Sequence, residues 1–229
     1  MMHSDFSSDK GASHLLQRVF SWMTLALTIT GATAWGVAHY PPAAQFVFQT
    51  PMVMWILLLA QIGLVIYLSV RLQKMSLQAA IGTFLLYSFL SGLTLSFIFL
   101  VYTYHSIALA FFICAATFGA MSLYGLFTRA DLSSMGSFLF MGIIGLIIAM
   151  VINMFLQSTQ FELLISLGGV AIFTLLTAYD VQQIKRLGQE MQGDGAGMSK
   201  VAIIGALKLY LDFVNLFLYL LRLFGQRRN

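Results

Sequence analysis

Seven apolar stretches follow one another along this chain, each close to the roughly 20 residues that a helix needs to cross a bilayer core. They run over about residues 15–39, 51–70, 77–101, 106–127, 134–157, 161–184 and 203–224. Five of the six linkers are short; the sixth, QEMQGDGAGMSK, is longer and polar. Only 9% of the 229 residues are charged and 59% are hydrophobic, whereas a soluble domain carries roughly 25% charge. Such a chain cannot cover a water-facing surface, so the expectation is an all-α integral membrane protein. The expected organisation is a cytoplasmic tail over 1–14, one seven-helix transmembrane domain over 15–224 and a short basic tail over 225–229.

Basic residues set the orientation. Lys10 and Arg18 precede or open the first stretch, Arg71 and Lys74 lie in the second linker, Arg129 in the fourth, and Lys185, Arg186 and Lys200 around the sixth. The first, third and fifth linkers carry none. This alternation puts the N-terminus in the cytoplasm. Seven spans then put the C-terminus outside, where Arg222, Arg227 and Arg228 run against the rule; a re-entrant or shortened last helix is the alternative. The opening residues lack the pattern of a cleavable signal peptide. All three prolines, Pro41, Pro42 and Pro51, fall in or beside the first linker, so any break in a later helix is expected to rely on glycine. Cys114, the single cysteine, reads as a packing residue.

Two aspartates stand out against this background: Asp180 in AIFTLLTAYDVQQI and Asp212 in ALKLYLDFVNLFLYLL. A carboxylate in hydrocarbon costs about 2.5–3.5 kcal/mol on insertion scales, and such residues mark functional sites by default. Asp180 precedes Lys185 by five residues and Asp212 follows Lys208 by four, which are offsets of about 6–8 Å along a helix. With both lysines at the cytoplasmic boundary, the two acids share a depth on consecutive helices, which tend to pack together. Two adjoining carboxylates cannot both ionise cheaply and would hold one proton between them. Ionised, they offer hard oxygen ligands to Ca²⁺. The alternative is local pairing, Asp212 with Lys208 and Asp180 with Lys185, without functional consequence.

The strings LTAYDVQQI and GALKLYLDFVNLFLYLLRLFG, with LLYSFLSGLTLS and TRADLSSMGSFLFMG upstream, resemble the signature stretches of the Bax inhibitor family, also called the transmembrane Bax inhibitor motif family, and in particular a bacterial member. The resemblance implies six helices around a central seventh and a pH-sensitive calcium leak in a bacterial inner membrane. It implies that Asp180 and Asp212 form the pH-sensing pair and hold Ca²⁺ transiently. Tyr179, Tyr210 and Asn215 become candidates to line or brace the site, and Arg71 and Lys74 candidate partners of the pair. Some calcium-leaking relatives carry an acid in the second helix, where this chain has Gln61.

The leading functional expectation is a proton-gated cation leak, with Ca²⁺ as the ion and acid-linked opening favoured by the resemblance. The second is a membrane-embedded regulator that binds a membrane protease or another membrane protein. A retinal protein fails because the third stretch has no aspartate counter-ion for Lys208. No enzyme is expected, since zincin, nucleophile-elbow and phosphate-loop motifs are missing. The expected partners are the lipid bilayer, protons and Ca²⁺; no cofactor and no nucleic acid are expected.

Overall fold

The computed structural model describes residues 2–191 and 195–228. In chain order its helices are α1 (Met2–His39), α2 (Pro41–Gln49), α3 (Pro51–Arg71), α4 (Leu77–Leu95), α5 (Ile98–Val101), α6 (Tyr104–Phe127), α7 (Met135–Leu156), α8 (Thr159–Glu190) and α9 (Gly195–Phe224), with a 3-10 turn over Leu72–Lys74 after α3. Six stretches are long and apolar enough to cross a membrane: Met52–Arg71, Leu77–Val101, Tyr104–Phe127, Met135–Leu156, Thr159–Glu190 and Gly197–Phe224. The chain is thus an all-helical, multi-pass membrane protein. Helix α1 is not among the six, because Gln17, Arg18 and a series of Ser and Thr residues dilute its apolar character.

Three features depart from the sequence expectations. The first linker is itself helical: Pro41 and Pro42 open α2 at the positions where proline's missing N–H costs nothing. The third stretch breaks at Ser96–Phe97 with neither proline nor glycine at the break. There the Ser96 hydroxyl donates to the Leu93 carbonyl at 2.6 Å and competes with the helix for that acceptor. The sixth linker is largely absorbed into α8 and α9, with its middle, 192–194, outside the described residues.

The chain forms two compact units, one of Met1–Tyr102, Gly188–Tyr210 and Arg227–Asn229, the other of Thr103–Leu187 and Leu211–Gln226. In the first unit α1 lies along α4. Thr30 Oγ1 donates to the Ser88 carbonyl at 2.8 Å, and a Cβ on Gly92 would lie 2.6 Å from Thr33 Cβ. Because the paired residue numbers rise together, the two helices run parallel. Glycine is required at position 92 for the close approach. Lower on α1, Arg18 Nη1 donates to Ser199 Oγ at 2.7 Å and Ala12 packs on Gly188. At the other end, Arg227 bridges Tyr102 in antiparallel fashion and the Arg228 amide donates to the Val101 carbonyl at 2.8 Å.

The second unit holds α6, α7, α8 as far as Leu187, and α9 from Leu211. Phe213 is packed edge-on by Phe111 and Phe118 at centroid distances of 5.7 and 5.4 Å. A Cβ on Gly169 would lie 2.6 Å from the Tyr219 ring. The Thr103 amide donates to the Gln226 carbonyl at 3.1 Å and the Gln226 amide to Ser106 Oγ at 2.9 Å. Helix α9 is continuous over 30 residues, about 45 Å, and the residues that follow it meet the linker between α5 and α6.

Candidate functional site

Asp180 and Asp212 both belong to the second unit, on α8 and α9. They retain only 7% and 5% of their surface. Their neighbours along the helices are apolar or locally satisfied: Thr177 Oγ1 donates to the Phe173 carbonyl at 2.8 Å, Ala178 and Val181 are buried, and Asn215 Nδ2 donates to the Leu211 carbonyl at 2.8 Å. The helix backbone at Ala178 is in close contact with α6, since a Cβ on Gly125 would collide with the Ala178 carbonyl oxygen. Tyr179 lies over the start of α7, where a Cβ on Gly136 would come within 2.5 Å of its hydroxyl.

The turn of α8 after Asp180 is tied to the linker between α6 and α7. Gln182, 6% exposed, uses both ends of its amide: Nε2 donates to the Ala130 carbonyl at 2.8 Å, and Oε1 accepts from the Leu132 amide at 2.9 Å. Gln183 Nε2 donates to Ser133 Oγ at 3.2 Å. Lys185 Nζ donates to the Leu126 carbonyl at 2.8 Å and so satisfies one of the open carbonyls at the end of α6. Arg186 donates to Ser133 Oγ and pairs with Asp131 Oδ1 at 2.6 Å. The Ser133 amide donates to the Asp131 carboxylate at 2.9 Å. That bond, with Arg186 beside it, holds the Asp131 carboxyl at about 2, below the usual carboxylate range.

Tyr210, Gln61, Arg71, Lys74 and Lys208, also named from the sequence, lie in the first unit. Tyr210, fully buried on α9, shares a hydrogen bond with Thr30 Oγ1 at 2.8 Å. Gln61 on α3 accepts from Ser91 Oγ at 3.2 Å and donates through Nε2 to Thr94 Oγ1 at 2.6 Å and to the Leu57 carbonyl at 3.1 Å. Arg71 and Lys74 are exposed at the end of α3 and in the turn that follows. Lys185 faces the Leu126 carbonyl, while Lys208 is exposed.

Gln182 and the Asp131–Arg186 pair were not singled out from the sequence. The signal available was the polar run QQIKR directly after an apolar helix containing an acid. Its residues form long-range bonds that no local pattern reveals. Among the described residues, no group of three or more His, Cys, Asp or Glu side chains is arranged to hold a metal. Two carboxylates alone are too few for a tight calcium site, which takes six to eight oxygens.

Comparison with known proteins agrees with the architecture. The family model described as "Inhibitor of apoptosis-promoting Bax1" matches residues 12–229. The inner membrane protein YbhL of Escherichia coli (strain K12) is 44% identical, over 95% of this chain and 94% of its own. A Borreliella burgdorferi protein described as uncharacterized is 47% identical over 93% and 92%. Protein RP147 of Rickettsia prowazekii is 43% identical over 96% and 93%. With its multiple apolar helices and a family match over nearly its whole length, the chain belongs to the Bax inhibitor family.

Proposed function

We propose that the protein is a pH-sensitive cation leak of a bacterial inner membrane, with Ca²⁺ as the ion and Asp180 and Asp212 as its proton sensor. The observation that carries this reading is the burial of both acids, at 7% and 5% exposure, on membrane-length helices of one compact unit. Intramembrane acids are retained where they handle protons or ions. Sharing one proton, the pair ties α8 to α9. Full ionisation sets two like charges against each other and exposes carboxylate oxygens to a passing cation. The small number of acidic ligands suits transit rather than tight binding.

The topology that goes with this reading has seven crossings, with the N-terminus in the cytoplasm. It is supported by α1 running parallel to α4 and by the tail meeting the α5–α6 linker, one of the linkers without Lys or Arg. Helix α9 as the central helix is supported by its burial: 61% of its most apolar window is buried, against 11–39% for the other five stretches.

The test is Ca²⁺ release from proteoliposomes across a pH series for wild type, Asp180→Asn and Asp212→Asn. Loss of the pH response in both variants is expected. Identical flux and pH dependence in all three overturns the reading. The family description also names an action on another protein. Co-purification of a membrane protein that survives both substitutions, with no flux in the wild type, would support the regulator instead.

A further inference from the structure

We propose that Gln182 is a positioning residue: its side-chain amide staples the α6–α7 linker to α8 and holds Asp180 fixed. The inference rests on the proton-sensor reading and identifies what holds Asp180 in place.

The argument starts from the linker. Residues 128–134 have no regular secondary structure to satisfy their backbone, and buried main-chain groups need partners. Gln182 provides them. One planar amide takes the Ala130 carbonyl and the Leu132 amide together, at 2.8 and 2.9 Å, much as a neighbouring strand would. Leu132 is buried beneath it at 7% exposure. Around this staple, Lys185 holds the end of α6, Arg186 and Gln183 hold Ser133, and Tyr179 covers Gly136 at the start of α7. The α8 segment Ala178–Arg186, with Asp180 inside it, is therefore bonded to the end of α6 and to the linker by directional contacts, and packed against the start of α7.

In the same unit α9 packs on α6, α7 and α8 through rings and sulfur. Phe213 and Phe217 meet Phe111 at centroid distances of 5.7 and 6.5 Å. Tyr219 stacks on Phe173 at 5.8 Å. Cys114 Sγ reaches the Phe213 carbonyl at 3.5 Å, and the Tyr219 hydroxyl reaches Met150 Sδ at 3.7 Å, both weak sulfur contacts. An amide bonded at both ends cannot slide without losing both bonds. A site works only when its functional group is held by supporting bonds of this kind.

The charged groups around the stapled segment are few. Lys185 and Arg186 belong to α8 itself, Arg129 and Asp131 to the linker, and Asp212 to α9. The last turn of α6 brings only Tyr124, 49% exposed, and α7 carries no charged residue. Asp131 stays ionised down to about pH 2, so the linker does not itself titrate in the range where a sensor would act.

The experiment compares wild type, Gln182→Leu, Gln182→Glu and Asp180→Asn in proteoliposomes. It reads the ratio of Ca²⁺ flux at acid and at neutral pH, alongside deuterium exchange at the Leu132 amide. Gln182→Leu should bring the ratio towards one while the protein remains folded and inserted. Gln182→Glu keeps the acceptor for Leu132 but loses the donor to Ala130, and should fall between. In the wild type the Leu132 amide should exchange more slowly than that of Arg129; equal exchange overturns the staple even if Gln182→Leu fails to fold. A purely structural role would lower the yield and leave the ratio unchanged, which overturns the inference alone. A wild type without any pH response overturns the sensor reading and this inference with it.

Discussion

The two compact units bury polar groups in opposite ways. In the first, the buried system is neutral: Tyr210 on the first half of α9 shares a hydrogen bond with Thr30 on α1, and Gln61 on α3 bonds Ser91 and Thr94 on α4. Its protons end on main-chain carbonyls, Thr30 on Ser88, Gln61 on Leu57 and Thr94 on Leu90. In the second, the buried groups include two acids, Asp180 and Asp212. A network of hydroxyls and an amide that is satisfied internally fixes helix positions and has nothing to titrate near neutral pH. Acids in apolar helices respond to proton activity. On the proposed reading, fixing helices and sensing protons fall to different residues, and Gln61 belongs to the first task by its bonds.

That contrast can be broken at several points. The largest effect is expected from Asp180→Asn or Asp212→Asn, each of which should abolish the pH response of flux; retention of the response in either one would move the sensor elsewhere. Next comes Gly125→Ala. Its new methyl would meet the Ala178 carbonyl, a backbone atom that cannot swing aside, so a loss of about 1–3 kcal/mol is expected in reversible unfolding from detergent. An unchanged stability would mean that α6 and α8 are not in such close contact.

Tyr210→Phe is the sharper control. It removes the hydroxyl shared with Thr30 and should cost about 0.6 kcal/mol, the average for an interhelical hydrogen bond in a membrane protein. The pH response should survive intact; its loss would join the two polar systems into one. The smallest effect is expected from Asp131→Asn. Because the native carboxyl sits at about 2 and the reference value is 3.8, its stabilising contribution is complete above the reference value and disappears as pH falls through about 2. The difference in thermal stability between wild type and variant should therefore be constant across neutral and mildly acid pH and should vanish near the low value. A difference that changes between mildly acid and neutral pH would contradict the assignment.

Much of the fold was legible because lipid inverts the usual burial rule. Met135–Leu156 has mean hydropathy 2.6 and 11% of its window buried, while Gly197–Phe224 has 1.8 and 61%. In a bilayer the greasiest helix faces the solvent and the helix with polar residues goes inside, so apolar runs mark spans and their impurities mark the interior. The same logic made Asp180 and Asp212 stand out. Its signal is weakest at α1, whose hydroxyl-rich sequence bonds other helices through Thr30 and packs on Gly92 through Thr33. It failed at Ser96, where a side chain rather than a proline breaks the helix. Gln182 was out of reach for another reason: its partners lie 50 and 52 residues away, and a glutamine at the end of an apolar helix carries no periodic signature.

The central claim is that the two acids act as one unit, and a double-substitution cycle tests it most directly. Ca²⁺ flux should be measured across the same pH series for wild type, Asp180→Asn, Asp212→Asn and the double variant. A shared proton predicts that either single substitution removes the whole response and that the double variant is no worse than either. Partial losses in the single variants that add up in the double variant would show two independent acids and contradict the account.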